Sequence, residues 1–300
     1  MAGAVIRARG LTKRFGPTTA LEGLDLEVPR GAVFGYLGPN GAGKSTTIRM
    51  LMGLVRPSAG AATVLGHDIV RERQAIHRSV GYLPGDFNAY RDLTGAQYLT
   101  YLSNLRGDVD PAEVQVLAKR FDLDLAHRIG SLSHGNRQKI GIIQACMHRP
   151  ELLILDEPTS GLDPLMQHQF LDLVREFRDS GRTVFLSSHV LTEVKAVADL
   201  IAIIRQGRLV MTSDIADLET RTRRRVELSF TDSTAPPIRA LTNLASVRDL
   251  EVVDGNIQLV VEGSMAELMR VAAPFGLERV VSNEVDLEDV LLQYFEHEER

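Results

Sequence analysis

The sequence predicts an α/β domain over residues 1–218, followed by a small α+β domain over residues 219–300. Short apolar segments that predict buried strands alternate with helical segments in the first part, as in a mostly parallel sheet covered by helices. A stretch at about 86–150 is rich in helical signals and predicts a helical subdomain inserted into that sheet. From residue 225 the predicted order is strand, helix, strand, strand, helix, strand, which is the ferredoxin-like arrangement.

Composition limits the possible functions. The 300-residue chain has a net charge of −5 at pH 7, so it lacks the basic balance that is usual for nucleic-acid binding, and we expect no nucleic-acid partner. Its one strongly basic cluster, Arg221 with residues 223–225, is predicted to be a solvated linker. The single cysteine, Cys146, fits a reducing compartment. No apolar run approaches the roughly 18 residues that a membrane helix needs, so a membrane role would require a partner.

The elements of the first domain follow from local patterns. Residues 5–15 and 21–28 alternate apolar and polar positions around Gly16-Pro17, which predicts two strands joined by a turn. Residues 94–130 are predicted to be helical throughout, beginning at a capping box of Thr94 and Gln97. An amphipathic helix is predicted after Pro164, and further strands at 152–155, 183–186 and 200–204.

The stretch 38–45 has the pattern G-x-x-x-x-G-K-[ST] between an apolar strand and a helix. Backbone N–H groups converge in such a loop, and the helix dipole adds positive potential, so the sequence predicts a nucleoside triphosphate site. Lys44 would reach the β- and γ-phosphates, and the Ser45 hydroxyl would bind Mg²⁺. The residues predicted to hold ATP are Gly38, Pro39, Asn40, Gly41, Ala42, Gly43, Lys44, Ser45 and Thr46.

Two carboxylates, Asp156 and Glu157, follow the buried strand at 152–155. Taken alone, adjacent acids after a strand are more often helix caps. Parallel strands, however, deliver their last residues to the sheet edge where the phosphate loop also lies. We therefore expect Asp156 to hold Mg²⁺ and Glu157 to polarise the attacking water.

Four motifs, at 38–45, 132–136, 155–163 and 188–189, occur in the order and spacing of one family. The chain resembles, over about residues 1–215, the nucleotide-binding domain of an ABC transporter. The resemblance implies a P-loop NTPase fold of the ABC type, with ATP and Mg²⁺ as cofactors. It also implies a homodimer of ATPase domains that closes head-to-tail around two ATP molecules. A separate membrane permease subunit would hold the chain on the inner face of the cell membrane, in the cytoplasm.

The resemblance also assigns roles to single residues. Phe15 would stack on adenine. Ser133 and Gly135, in a motif that includes Asn136, would bind the γ-phosphate of the ATP on the opposite protomer. Asp163 would communicate across the dimer. His189 would contact the γ-phosphate and hold the attacking water in place.

The chain departs from the usual family pattern at two places. His134 and Asn136 replace the third and fifth positions of the usual Leu-Ser-Gly-Gly-Gln motif, and Gly85 stands where most members have a glutamine. Both departures are similar to those in the branch that serves drug and antibiotic exporters, which implies an exporter subunit. Near Gly85, we expect Phe87 and Tyr90 to face the membrane subunit, whereas for Tyr98 and Tyr101 internal packing is at least as good an explanation.

Two other functions remain as alternatives. A soluble ABC ATPase acting on ribosomes or DNA usually carries two ATPase domains or a long coiled coil, whereas this chain has one phosphate loop and no sustained heptads. The second alternative is a regulatory module that binds ATP but hydrolyses little of it. Such a module would not need a general base at position 157, where this chain has Glu157.

For the small domain, the alternation of the hairpin strands predicts one buried sheet face. Val253, Val260 and Val280 suggest that the opposite face is also partly apolar. A final helix with Leu287 and Tyr294 on one side, the same domain of a second copy, or a small ligand would cover that face. We hypothesise that contact with the twin domain holds two ATPase domains near each other.

Overall fold

A computed structural model describes residues 3–107, 109–217, 223–231, 236–253, 255–262 and 264–283. The chain divides into two compact units, Met1–Thr212 and Ser213–Arg300. The helix predicted near the C-terminus lies outside the described residues.

A six-stranded sheet with the order β10-β9-β3-β8-β7-β6 forms the centre of the first unit. The neighbouring strands from β6 to β9 in this order are parallel, as predicted from the strand–helix alternation. The strands are β3 (Val33–Leu37), β6 (Val80–Leu83), β7 (Leu152–Asp156), β8 (Thr183–Ser188), β9 (Leu200–Arg205) and β10 (Arg208–Asp214). Their order brings the carboxyl ends of β3, β8 and β7 to one edge.

A second sheet of four antiparallel strands has the order β2-β1-β4-β5. The predicted pair of strands around Gly16-Pro17 is confirmed as two 12-residue strands. The strands are β1 (Ala4–Phe15), β2 (Thr18–Pro29), β4 (Ala59–Val64) and β5 (His67–Asp68).

Seven α-helices and one short 3₁₀ helix occur in the described part of the first unit before Ser213. The helices are α1 (Lys44–Leu51), α2 (Arg73–Ser79), α3 (Gly95–Arg106), α4 (Pro111–Arg120), α5 (His134–Cys146), α6 (Pro164–Asp179), α7 (Leu191–Lys195) and the 3₁₀ helix Ile129–Ser131. The amphipathic helix after Pro164 is confirmed, since its predicted apolar side is buried.

The prediction of one continuous helical stretch over 94–130 is wrong. The capping box of Thr94 and Gln97 begins α3 as predicted, but the helix ends at Gly107, which adopts a left-handed conformation. Asp110 caps α4, whose end is followed by Asp122, also with a positive φ. The stretch is therefore divided into two helices, which end before Gly107 and before Asp122. Residues 121–128 then connect α4 to the 3₁₀ helix.

Tyr36 joins the central sheet to the helix of the phosphate loop. Its ring lies 5.4 Å from that of Phe185 on β8, and its hydroxyl is 3.2 Å from the Thr47 hydroxyl on α1. Burial raises the pKa of the Tyr36 phenol far above its usual value, so the group stays neutral. This buried contact fixes the start of α1 against β3.

The second unit contains a four-stranded antiparallel sheet with the order β12-β13-β11-β14. The predicted ferredoxin-like order of elements is confirmed among the described residues. Its elements are β11 (Arg223–Phe230), the helix Ile238–Thr242, β12 (Val247–Val253), β13 (Asn256–Glu262), the helix Met265–Ala272, the 3₁₀ helix Ala273–Phe275 and β14 (Leu277–Asn283).

Two sequence expectations fail in this unit. The basic cluster is not simply a linker, because residues 223–225 belong to β11, which pairs with β13 and β14. Val280 does not face away from the core, because it lies opposite the buried Leu228 and packs against the hydrophobic cluster of this unit. The other sheet face, which includes Glu227, Gln258 and Val260, is mostly polar among the described residues, and we do not propose a twin contact through it.

Within the described ranges, no helix has the length and apolar character needed to cross a membrane.

Candidate functional site

The phosphate loop connects β3, whose five residues are all buried, to α1. Gly43 precedes the helix with φ of 109°, a conformation that L side chains rarely adopt, and a Cβ there would lie 2.6 Å from the Ala20 carbonyl oxygen. At Gly38 a Cβ would overlap the Ile204 carbonyl oxygen. Glycine is therefore needed at both ends of the loop for backbone reasons, independently of any ligand.

The other residues of the predicted loop differ in their exposure to solvent. Asn40 and Gly41 are exposed, Ala42 is buried, and Pro39 is partly exposed. Ser45 and Thr46 lie in the first turn of α1 and are partly exposed. The loop thus presents an accessible backbone at a helix N-terminus, which can bind an anion.

Lys44 is buried and folds back over its own loop. Its Nζ donates to the carbonyl oxygens of Gly38 (2.6 Å) and Pro39 (3.3 Å). The same ammonium group lies 3.0 Å from Glu157 Oε1, although Lys44 and Glu157 are far apart in sequence. The two predicted groups, the phosphate loop and the acids after β7, are therefore in direct contact.

Asp156 and Glu157 are held at the end of β7 by its neighbour β8. Ser187 Oγ donates to Asp156 Oδ1 (2.6 Å), and the Glu157 backbone N–H donates to the same hydroxyl oxygen (3.1 Å). Asp156 is almost completely buried. One hydroxyl group thus orients both acids, and sequence reasoning did not assign it this role.

Glu157 lies between Lys44 and His189. His189 Nδ1 is 2.9 Å from Glu157 Oε2, and Lys44 approaches the other carboxylate oxygen. The Glu157 side chain is 21% exposed and that of His189 is 50% exposed. A carboxylate held in this way by a buried cation and an accessible imidazole is well placed to accept a proton from a bound water.

Ser133, Gly135 and Asn136 begin α5. Ser133 is the N-cap, and its hydroxyl oxygen accepts from the Asn136 backbone N–H (3.2 Å). A Cβ at Gly135 would overlap the Gly161 carbonyl oxygen, so the first turn of α5 lies directly against the segment after Glu157. The ring of His134, one of the two departures from the usual motif, also packs at Gly161.

Asp163 is the N-cap of α6 and accepts from the Met166 backbone N–H (3.0 Å).

Phe15 lies at the end of β1. It is 49% exposed, and Lys13 Nζ lies 4.7 Å from the centroid of its ring. An exposed aromatic face beside a cation can stack on a base, but Phe15 makes no contact that assigns it to the phosphate site.

Gly85 lies beside Asp156. A Cβ at position 85 would be 3.1 Å from Asp156 Oδ2, closer than most Cβ contacts. The next residue, Asp86, forms an ion pair with Arg49 of α1 (3.5 Å). Burial, with a smaller contribution from the Asp156 carboxylate, raises the pKa of the nearby Tyr82 to about 12. The Asp156 carboxylate thus lies close to where a side chain at position 85 would begin.

Four aromatic rings, those of Phe87, Tyr90, Tyr98 and Tyr101, form a cluster near this loop. Tyr90 is 61% exposed and contacts the edges of Tyr98 and Tyr101, at centroid distances of 6.1 and 6.2 Å. Tyr98 is buried, as its internal-packing interpretation predicts, and its hydroxyl donates to Gln144 Oε1 (2.6 Å). Phe87 is partly buried against Tyr98, so Tyr90 and Tyr101 are the accessible members.

Sequence comparison identifies the family. The family model described as ABC transporter matches residues 21–160. Bacitracin transport ATP-binding protein BcrA from Enterococcus faecalis is 34% identical over 95% of this chain and 94% of its own length. Daunorubicin/doxorubicin resistance ATP-binding protein DrrA from Streptomyces peucetius is 39% identical over 72% of this chain and 67% of its own length.

Comparison with solved structures leads to the same family. The solved structure of an ATP binding subunit of an ABC transporter superposes with a TM-score of 0.66 at 30% identity, covering 72% of this chain and 92% of that chain. Such ATP-binding cassettes hydrolyse ATP, and the phosphate loop in contact with Glu157 is consistent with that activity. The chain therefore belongs to the ATP-binding, ATP-hydrolysing subunits of the ABC transporter family.

Proposed function

We propose that this chain is the ATP-hydrolysing subunit of an exporter of antibiotics or similar drugs and works with a separate membrane subunit. The observation that carries the hydrolytic part is the position of Glu157 between Lys44 and His189. The export part is supported by relatives named for bacitracin transport and daunorubicin resistance, the first of them similar over nearly the whole chain.

In this proposal Lys44 exchanges its contacts with the Gly38 and Pro39 carbonyls for the phosphates of ATP. Glu157 accepts the proton of the attacking water, and His189 holds that water near the γ-phosphate. Phe15 stacks on adenine. The phosphate-loop backbone orients the triphosphate so that its terminal group lies near Glu157.

The donor set fits Mg²⁺. The Ser45 hydroxyl and the Asp156 carboxylate are hard oxygen ligands, and Mg²⁺ in nucleotide sites is held by one or two such groups together with phosphates and water. Ser187 orients Asp156 Oδ1, which prepares this carboxylate for a ligand. When bound, the ion neutralises charge on the phosphates.

A second copy of the chain completes the site in this proposal. Ser133 and Gly135 offer the N-terminus of α5 to the γ-phosphate bound by the partner, and Asp163 lies at the same interface. ATP-driven closure of the two copies would then move the membrane subunit.

We place the contact with the membrane subunit at Tyr90 and Tyr101. The Tyr90→Ala/Tyr101→Ala variant should weaken assembly with the membrane subunit, because both exposed rings are lost, whereas ATP binding by the isolated chain should change less than about twofold. Co-purification with the membrane subunit measures the effect. Leu105→Ala on the same helix removes another exposed apolar side chain and is the matched control. Unchanged co-purification of the double variant would contradict this placement.

The export proposal has a direct cellular test. Deleting the gene should make its native cells more sensitive to at least one antibiotic in a panel that includes bacitracin and daunorubicin. The wild-type gene should restore resistance, and a Glu157→Gln version should not. Unchanged sensitivity to the whole panel, or restoration by the variant, would rule against this function.

A further inference from the structure

Gln138 is a buried polar residue that the mechanism above does not use. It lies in α5 among fully buried isoleucines such as Ile140 and Ile142 and is only 2% exposed. Its Nε2 donates to the backbone carbonyl oxygens of Glu157 (3.2 Å) and Pro158 (3.1 Å). Because burying an amide is costly unless it is hydrogen-bonded, these two contacts explain how a glutamine is accommodated here.

The backbone that Gln138 holds is itself unfavourable. Glu157 has φ of 49°, in the left-handed region, which is unfavourable for a residue with a Cβ. Such a conformation persists only when its surroundings fix it. Ser187 fixes Glu157 on the N–H side through its hydroxyl and carbonyl oxygens, and Gln138 fixes it on the carbonyl side.

The same helix also supports the other end of this segment. His134 and Gly135, in the first turn of α5, pack directly against Gly161. Gln138, one turn further on, holds Glu157 and Pro158. The segment 157–161 is therefore attached to α5 at two points, and a displacement of the helix would be transmitted to Glu157.

We propose that Gln138 is a positioning residue that keeps Glu157 in the conformation needed for hydrolysis and couples it to α5. The inference rests on the proposed function, in which the N-terminus of α5 contacts the ATP bound by a second copy. Binding at that N-terminus would then be communicated through Gln138 to the Glu157 of the same chain. Each copy would hydrolyse its own ATP efficiently only when its α5 is engaged.

The test uses Gln138→Met, which keeps the side-chain length and removes both N–H donors. We expect kcat for ATP hydrolysis by the full chain to fall by up to about 10²-fold, the loss typical of a 1 Å misplacement, while the Kd for ATP changes less than about twofold. Gln144→Met is the matched control, because it makes the same substitution on the same helix and removes one hydrogen bond, to Tyr98, away from Glu157. It should keep kcat within about twofold.

A double-mutant cycle separates positioning from a general structural effect. If Gln138 acts through Glu157, Gln138→Met should cost less than about twofold when added to Glu157→Gln. Additive losses, or a kcat for Gln138→Met like that of the control, would overturn the inference. Normal hydrolysis by Glu157→Gln alone would instead overturn the proposed function.

Gln138→Glu gives a second readout if Gln138→Met does not fold. The introduced carboxyl group faces two carbonyl oxygens, so only its protonated form can donate a hydrogen bond there. We expect its kcat, relative to wild type, to rise several-fold as pH falls from 8 to 6. A ratio that does not change with pH would contradict the positioning role.

Discussion

Glu157→Gln is expected to lower ATP hydrolysis by about 10²–10⁴-fold, the loss typical of removing a general base. The amide keeps the shape of the side chain but cannot accept the proton of the attacking water. The Lys44 contacts with Gly38 and Pro39 do not involve Glu157, so the phosphate loop stays intact and ATP binding should persist. Phosphate release at saturating ATP measures the first effect, and titration with a fluorescent ATP analogue measures the second.

Glu176→Gln is the matched control for this variant. It makes the same substitution at an exposed position on α6, where Glu176 pairs with Arg120 at 2.7 Å. Exposed ion pairs contribute little to stability, so hydrolysis should be unchanged within about twofold. If Glu157→Gln turned over ATP at nearly the wild-type rate, Glu157 would not be the base.

Lys44→Ala is expected to abolish ATP binding at ordinary concentrations. It removes the only side-chain cation that the described structure places within the phosphate loop itself. One charge-assisted hydrogen bond contributes up to about 3 kcal/mol, which corresponds to a loss of affinity of up to about 10²-fold, and the Lys44 ammonium can donate more than one such bond. The substitution also leaves Glu157 without its cationic neighbour, which adds repulsion toward the phosphates.

Isothermal titration with ATP distinguishes this result from that of Glu157→Gln, which retains binding. Lys119→Ala, at an exposed position on α4, is the control for loss of one positive charge. Wild-type ATP affinity in Lys44→Ala would show that the loop is not the nucleotide site.

The parts of the site that were predictable from the sequence depend on local patterns or on sheet topology. Gly38 and Lys44 belong to one contiguous motif between a strand and a helix. Glu157 lies more than a hundred residues away in the sequence, yet its contact with Lys44 follows from the parallel order of β3, β8 and β7. The prediction of an α/β fold with a ferredoxin-like unit succeeded because it depended only on the order of strands and helices along the chain.

Contacts that depend on tertiary packing were not predictable. Nothing in the sequence around Gln138 indicates that its amide lies under the Glu157 backbone, because that contact joins a helix to a segment beyond the next strand. The orientation of Val280 likewise depends on the register between β14 and β11. The sequence shows only a glutamine near apolar helix positions, which does not indicate what its amide contacts.

In the proposed function, a second copy of the chain completes the ATP site through Ser133. The most direct measurement is the mass in solution of Glu157→Gln with and without ATP and Mg²⁺, by analytical ultracentrifugation. The 33.1 kDa chain should become a dimer only with ATP, because hydrolysis no longer reopens it. Ser133→Asp in the same background keeps a good N-cap but places a carboxylate against the phosphates, so it should bind ATP and remain monomeric. ATP-bound Glu157→Gln that stays monomeric would show that ATP does not close a dimer, and a Ser133→Asp version that dimerises equally well would show that Ser133 does not contact the phosphates.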